Sequence, residues 1–390
     1  MKGKQKMKIY KQYYTKKVLV YALLWLLMTG YSYQAPAKEP SGETIRTIPY
    51  EEMPIILDLI ANQIRGNYER IITWSGDIDV KINWLWTGTK AEDFFKRFTD
   101  AKGEIPEAIL QKVEEKTIFA IDAKKNFVYV DKFREKNQYL NGTTGIDLGR
   151  RSTGPICSTL IARPDFLLEA EPQSFKNNKI IHRKASKRPS QQDPTTGLYE
   201  GVNDPRKTFV PGGIFTWEHL DSLVNWINKN GKIEFNGYRL KIEEHQEGEI
   251  IKYKMIQPVI ISLDGNDPND YDYILKTVIF SSRYDFNMIY WEITSGGGIP
   301  LQKFTWEYES VNDVYLPKRV VEKHYGSNGE VALEKESTYI NNKLNQGIPP
   351  ETFEYVNLNL KEGDKFIDKI EGKEYTYQDE KLIPVKKESK

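Results

Sequence analysis

The sequence predicts a β-rich α+β fold, an antiparallel sheet accompanied by helices, and three observations carry that prediction. From Leu240 onward the chain is nearly all strand and turn, with five segments at 274–280, 288–293, 302–308, 316–325 and 331–340. The connections at 283–287, 295–300, 312–315 and 326–329 carry the Gly, Asn, Asp and Ser that reversals require. Each is too short for a parallel crossover, so neighbouring strands run antiparallel.

Upstream, the first element after Pro54 is a helix. Ile56, Ile60, Ile64, Tyr68 and Ile71 recur at steps of three or four and share one face. The period then changes to two. Ile78, Val80, Ile82, Trp84 and Trp86 alternate with Asp77, Asp79, Lys81 and Asn83, the pattern of a half-buried strand. Residues 91–113 are charged and read as irregular or helical cover, and 118–133 as a hairpin turning at 124–126. Pro155, Pro164, Pro172, Pro189, Pro194, Pro205 and Pro211 make 141–215 read as a large irregular insertion. A second helix is predicted from Thr216, its cap, to Asn230. Leu220, Leu223, Val224 and Ile227 share a face and Gly231 stops it.

The N-terminus reads as an export signal. The first 17 residues hold seven lysines and no acid, an unbroken apolar run follows at 18–28, and Ala35 and Ala37 supply a small-residue cleavage pattern. Cleavage after Ala37 is expected, with retention as a membrane anchor as the alternative. It would leave a flexible leader at 38–53 and a single domain at 54–390. Losing those lysines turns a net charge of +1 into −6. That sign excludes the phosphate neutralisation on which nucleic-acid binding rests. The expected location is the periplasm or cell envelope.

No sequence signature of an enzyme is present: there is no H-E-x-x-H, G-x-S-x-G, C-x-x-C or phosphate-binding loop. The four histidines, His182, His219, His245 and His324, are scattered and read as surface or hydrogen-bonded groups. Asp264, Asn266, Asp267, Asp270 and Asp272 offer oxygen ligands but miss the calcium-loop spacing, and read as a polar turn. No metal or cofactor is expected. Cys157 is the sole cysteine, so no intrachain disulfide forms.

The informative side chains are aromatic. Trp84, Trp86, Ile289, Trp291, Ile293, Phe304, Trp306 and Tyr308 all sit on predicted strands. On the concave face of a curved sheet with helices across its mouth they would line an apolar cavity suited to an acyl chain. The alternative is that they fill a core.

The opening, with Asn67, Tyr68, Ile71, Trp74 and Gly76 leading into an alternating strand, resembles the outer-membrane lipoprotein carrier (LolA/LolB-like) superfamily. So do the turn at 313–317 and the closing stretch with Ile348, Pro349 and Phe353. The resemblance covers about 55–86 and 274–377 and implies an incomplete antiparallel β-barrel under a helical lid. It also implies a non-enzymatic periplasmic role, binding or ferrying lipoprotein acyl chains or another amphiphile. The rival expectations are an envelope-protein interaction or sensor module with a filled core, and a hydrolase with dispersed acidic residues.

Overall fold

Long strands dominate because alternation persists for up to 15 residues without a breaker. The computed structural model describes residues 43–99, 104–149, 157–176, 179–189, 206, 217–235, 238–262, 271–326 and 329–385. The export signal, residues 38–42 of the leader, the Asp264–Asp272 turn except its last two residues, the Thr216 cap and much of 190–215 lie outside the described residues, and the rest of the expected leader carries a paired strand at Thr44–Thr47. Residues 44–390 form one compact unit.

The chain begins with β1 (Thr44–Thr47), α1 (Met53–Glu69), β2 (Thr73–Thr87) and α2 (Gly88–Phe98). Next come β3 (Ala108–Asp122), β4 (Phe127–Asn141), β5 (Cys157–Ala162), β6 (Phe166–Lys176), β7 (Lys179–Pro189) and α3 (Trp217–Asn230). A two-stranded ribbon, β8 (Glu234–Phe235) and β9 (Tyr238–Arg239), stands apart from the main sheet. The meander follows as β10 (Lys241–Glu247), β11 (Ile250–Ser262), β12 (Tyr271–Ser281), β13 (Asn287–Ser295), β14 (Pro300–Val311), β15 (Val314–Tyr325) and β16 (Val331–Leu344). Two 3-10 turns at Pro350–Phe353 and Tyr355–Leu358 lead to β17 (Lys365–Asp368), β18 (Lys373–Gln378) and β19 (Lys381–Pro384).

Among the described residues, 17 strands form one large curved, unclosed sheet. Strand pairing runs from β1 through β10 to β16, then β2 to β7, and ends on β17 to β19. All neighbours are antiparallel except β7 and β17, which are parallel. The five expected strands of the C-terminal half are β12 to β16. The region 141–215 differs from expectation, because its described part carries β5, β6 and β7. Its prolines did not prevent pairing: Pro172 sits at a bulge and Pro189 ends a strand, where a missing N–H costs little.

Helix α1 has Pro54 as its second residue, in the first turn, which suits the proline ring. Its far end is pinned by Asn67, whose amide donates to the Tyr315 carbonyl at 3.0 Å and accepts from the Tyr315 N–H at 2.9 Å. Arg70 adds a 2.7 Å bond to Asp285. The helices α1 and α3 meet through Arg65 and Asp221 at 2.6 Å and through the rings of Tyr68 and Trp217. Leu57, Ile60 and Ile64 of α1 and Leu220, Leu223 and Ile227 of α3 belong to the same apolar cluster as Trp74, Phe119, Phe280 and Trp291 of the sheet. A second apolar cluster lies on the opposite face of β3 to β7. There Ala120, Ile161, Leu168 and Ala185 meet Phe353, Leu358 and Phe366 of the C-terminal segment.

Candidate functional site

Strand register sorts the helix-side face of the sheet into rows of neighbouring side chains. One row runs Met255, Val278, Trp291, Phe304, Glu322, Lys335, Ile82 and Val113. The row two residues further along runs Gln257, Lys276, Ile293, Gln302, His324, Leu333, Trp84 and Gln111. In the other direction Trp306 sits beside Val320, then Ser337 and Val80. The face is therefore graded, apolar where α1 and α3 pack and increasingly polar beyond Phe304.

The expected aromatic residues separate into two groups. Trp291, Phe304 and Trp306 are neighbours, with ring centroids 5.0 Å and 5.5 Å apart, and Trp291 is 0% and Trp306 4% exposed. Ile293 and Tyr308 pack against the same cluster, and Tyr308 donates its hydroxyl to the Met288 carbonyl at 2.7 Å. Burial pushes the Tyr308 phenol well above its ordinary pKa. Ile289 falls at the β12–β13 bulge, where it helps line a cavity of about 580 Å³ with Ile250, Lys252, Arg283 and Trp306. Trp84 and Trp86 share the face but lie four strands across the sheet from Trp291, in a separate cluster with Phe94 of α2 and Tyr139. Strand parity shows the shared face and not this separation.

Two polar groups in the apolar zone are unusual. The indole N–H groups of Trp291 and Trp306 are buried and have no acceptor among the described residues. Buried donors in native proteins are nearly always paired, and an orphan costs about 1–3 kcal/mol.

Sequence reasoning missed the polar band beyond them. His324 Nε2 lies 2.6 Å from Glu322 Oε1 and 3.1 Å from Gln302 Nε2, and Lys335 Nζ lies 3.8 Å from Glu322. His219 of α3 sits beside Gln257 and Lys276, and burial is the chief cause lowering its imidazole pKa. Burial likewise lowers the pKa of Lys276. The signal was available: Gln302 is two residues before Phe304, and Glu322 and His324 are two and four after Val320.

Two solved structures are similar to this chain. One is an outer membrane lipoprotein-sorting protein domain from Vibrio parahaemolyticus, 9% identical, with a TM-score of 0.30 over 80% of this chain and 99% of that one. The other is a DUF1329 family protein from Desulfovibrio piger ATCC 29098, 7% identical, with a TM-score of 0.31 over 78% of this chain and 98% of that one. No family model matches the sequence, and no curated protein matches it. Among the described residues, no helix is long and apolar enough to cross a membrane and no group of His, Cys, Asp and Glu has the geometry to hold a metal ion.

Proposed function

We propose that this chain is a non-enzymatic envelope protein that binds an acyl-chain amphiphile on the helix-side face of its unclosed sheet, with α1 and α3 as the cover. The observation that carries the reading is the pair of orphan indole donors of Trp291 and Trp306 inside an otherwise apolar zone. In a purely structural core such donors are a cost without return. An ester or carboxyl oxygen of a ligand would satisfy them, while its chain occupies the apolar rows. The graded face supplies a polar end for the head group.

Binding requires α1 and α3 to shift, because the aromatic rows are closed in the free protein. Chain burial contributes about 0.8 kcal/mol per methylene, so affinity should rise with chain length until the trough is filled. Titration with fatty acids and lysophospholipids of increasing length, read by tryptophan emission, tests this. Trp291→Phe and Trp306→Phe keep the rings and remove the donors. Each should weaken binding about 5- to 10-fold, the worth of one hydrogen bond. If no amphiphile of any length changes the emission, the aromatics are a filled core and the chain is an interaction module.

A further inference from the structure

Trp84 ends a stack of rings. Phe94 of α2 and Trp86 lie 4.8 Å apart at 23°, and Trp86 and Trp84 lie 4.6 Å apart at 14°. The stack is anchored at its inner end, where Phe94 meets Tyr139 edge-on and Trp86 donates to Gln111 at 3.4 Å. Its outer end is open. Trp84 is 39% exposed, and among the described residues no ring or cation lies on its second face. Trp86 stacks on one face of Trp84, and Ile82 precedes Trp84 by two residues on the same side of β2. Beside Ile82 in register stand Lys335 and then Glu322, with His324 and Gln302 in the Trp84 row.

We propose that the open face of Trp84 and the Gln302–His324–Glu322–Lys335 band form a sugar site that takes a glycan of two or more rings. A rigid indole held by two further rings is a platform for the apolar face of a pyranose. The hydroxyls at the ring's edge need donors and acceptors together, which an amide, an imidazole, a carboxylate and an ammonium provide. The span argues for more than one ring. Glu322 and His324 are on β15, two strands from Trp84, or about 10 Å at the usual strand spacing. An anionic ligand such as a nucleotide fits less well, since Lys335 and His324 already share Glu322.

Resting on the amphiphile reading, the inference makes the natural ligand a glycolipid, with acyl chains in the Trp291 and Trp306 rows and the sugar on Trp84. A free oligosaccharide is the other source of the same chemistry. The test compares a dihexosyl diacylglycerol with a phosphatidylglycerol of matched chains, and adds maltotriose and cellotriose, on the full chain by calorimetry. The glycolipid should bind at least 10-fold tighter than the phospholipid. Trp84→Ala should reduce glycolipid affinity to the phospholipid level, and Trp84→Phe should recover part of it. Gln302→Ala and His324→Ala should act in the same direction by smaller factors. A trisaccharide that binds while neither lipid does supports the sugar site and overturns the amphiphile reading. Equal binding of the two lipids by the wild type overturns the sugar site and leaves the amphiphile reading standing. Equal losses for both lipids in Trp84→Ala, with Trp84→Phe no better, also overturn it, because Trp84 would then be structural.

Discussion

The two halves of the sheet solve burial differently. In β12 to β16 the outward row runs Thr277, Glu292, Lys303, Lys323 and Glu334, solvated and tied by ion pairs such as Lys323 to Glu334 at 2.9 Å. In β3 to β6 the outward row runs Ala120, Tyr129, Ile161 and Leu168, and the C-terminal segment covers it. One half has a single apolar face and the other has two. Two buried faces demand two unrelated sets of partners for consecutive residues, so each strand in that half is constrained twice.

The sharpest way to break the comparison is to charge adjacent residues. Leu167 faces the helix-side core and Leu168 the C-terminal segment, so Leu167→Asp and Leu168→Asp should each prevent stable folding, as read by urea melts. In the one-faced half only one of two neighbours should matter. Phe304→Ala should cost about 3–5 kcal/mol and Lys303→Ala under about 0.5 kcal/mol.

Next in size is the latch between the two-faced half and its cover. Arg183 is buried and donates to Thr159 Oγ1 at 3.0 Å, to the Leu358 carbonyl at 3.3 Å and to Cys157 Sγ at 2.7 Å. Asp364, fully buried, accepts the Arg183 N–H at 2.9 Å and the Lys361 N–H at 2.8 Å. Arg183→Ala should cost about 3–5 kcal/mol and speed amide exchange in 348–384 before it does so in β12 to β16.

This asymmetry also decides what could be read in advance. Alternation and turn chemistry made β12 to β16 legible, because one face is wet and every second residue is polar. In 157–168 the apolar residues run together, as in Leu160, Ile161 and Ala162, so the period of two vanishes and the prolines dominate the reading. The four-residue parallel pairing of β17 with β7 leaves no periodic trace at all. For the site, parity assigned Trp84, Trp86, Trp291 and Trp306 to one face. It could not show that β2 pairs with β16 and so stands four strands from β13, about 19 Å at the usual spacing, which leaves Trp84 and Trp86 stacked on α2 and not on Trp291. Spacing alone puts Gln302 on the side of Phe304, and Glu322 and His324 on the side of Val320, but only the register across the strands brings Lys335 beside them and makes the band.

A smaller effect concerns the wet face. Glu243 on β10 is held by Lys241 Nζ at 2.5 Å and Lys254 Nζ at 3.4 Å. Bonding to Lys241 is the main cause that lowers its pKa from 4.5 to about 2. A folded pKa below the unfolded one stabilises the fold above about pH 4.5, and that contribution is lost as pH falls toward 2. Glu243→Gln should flatten the stability profile in that window, lowering stability near neutrality and converging on the wild type as pH falls toward 2. The smallest expected effect is none: Cys157 is buried, burial raises its pKa, and reductant should leave the melting temperature where it is.

The pairing of β2 with β16 has a kinetic meaning. Ile78 lies opposite Tyr339 and Trp84 opposite Leu333, so the seam that joins the halves waits for residues some 250 positions later in the chain. Each half can zip its own hairpins quickly, but loop-closure entropy delays the seam, and such high contact order slows folding. Until the last segment arrives, the outward row of Ile161 and Leu168 is bare and the β7 edge is unpaired, a template for misassociation. Nascent chains would therefore need a holding chaperone most in the interval before residues 348–384 emerge.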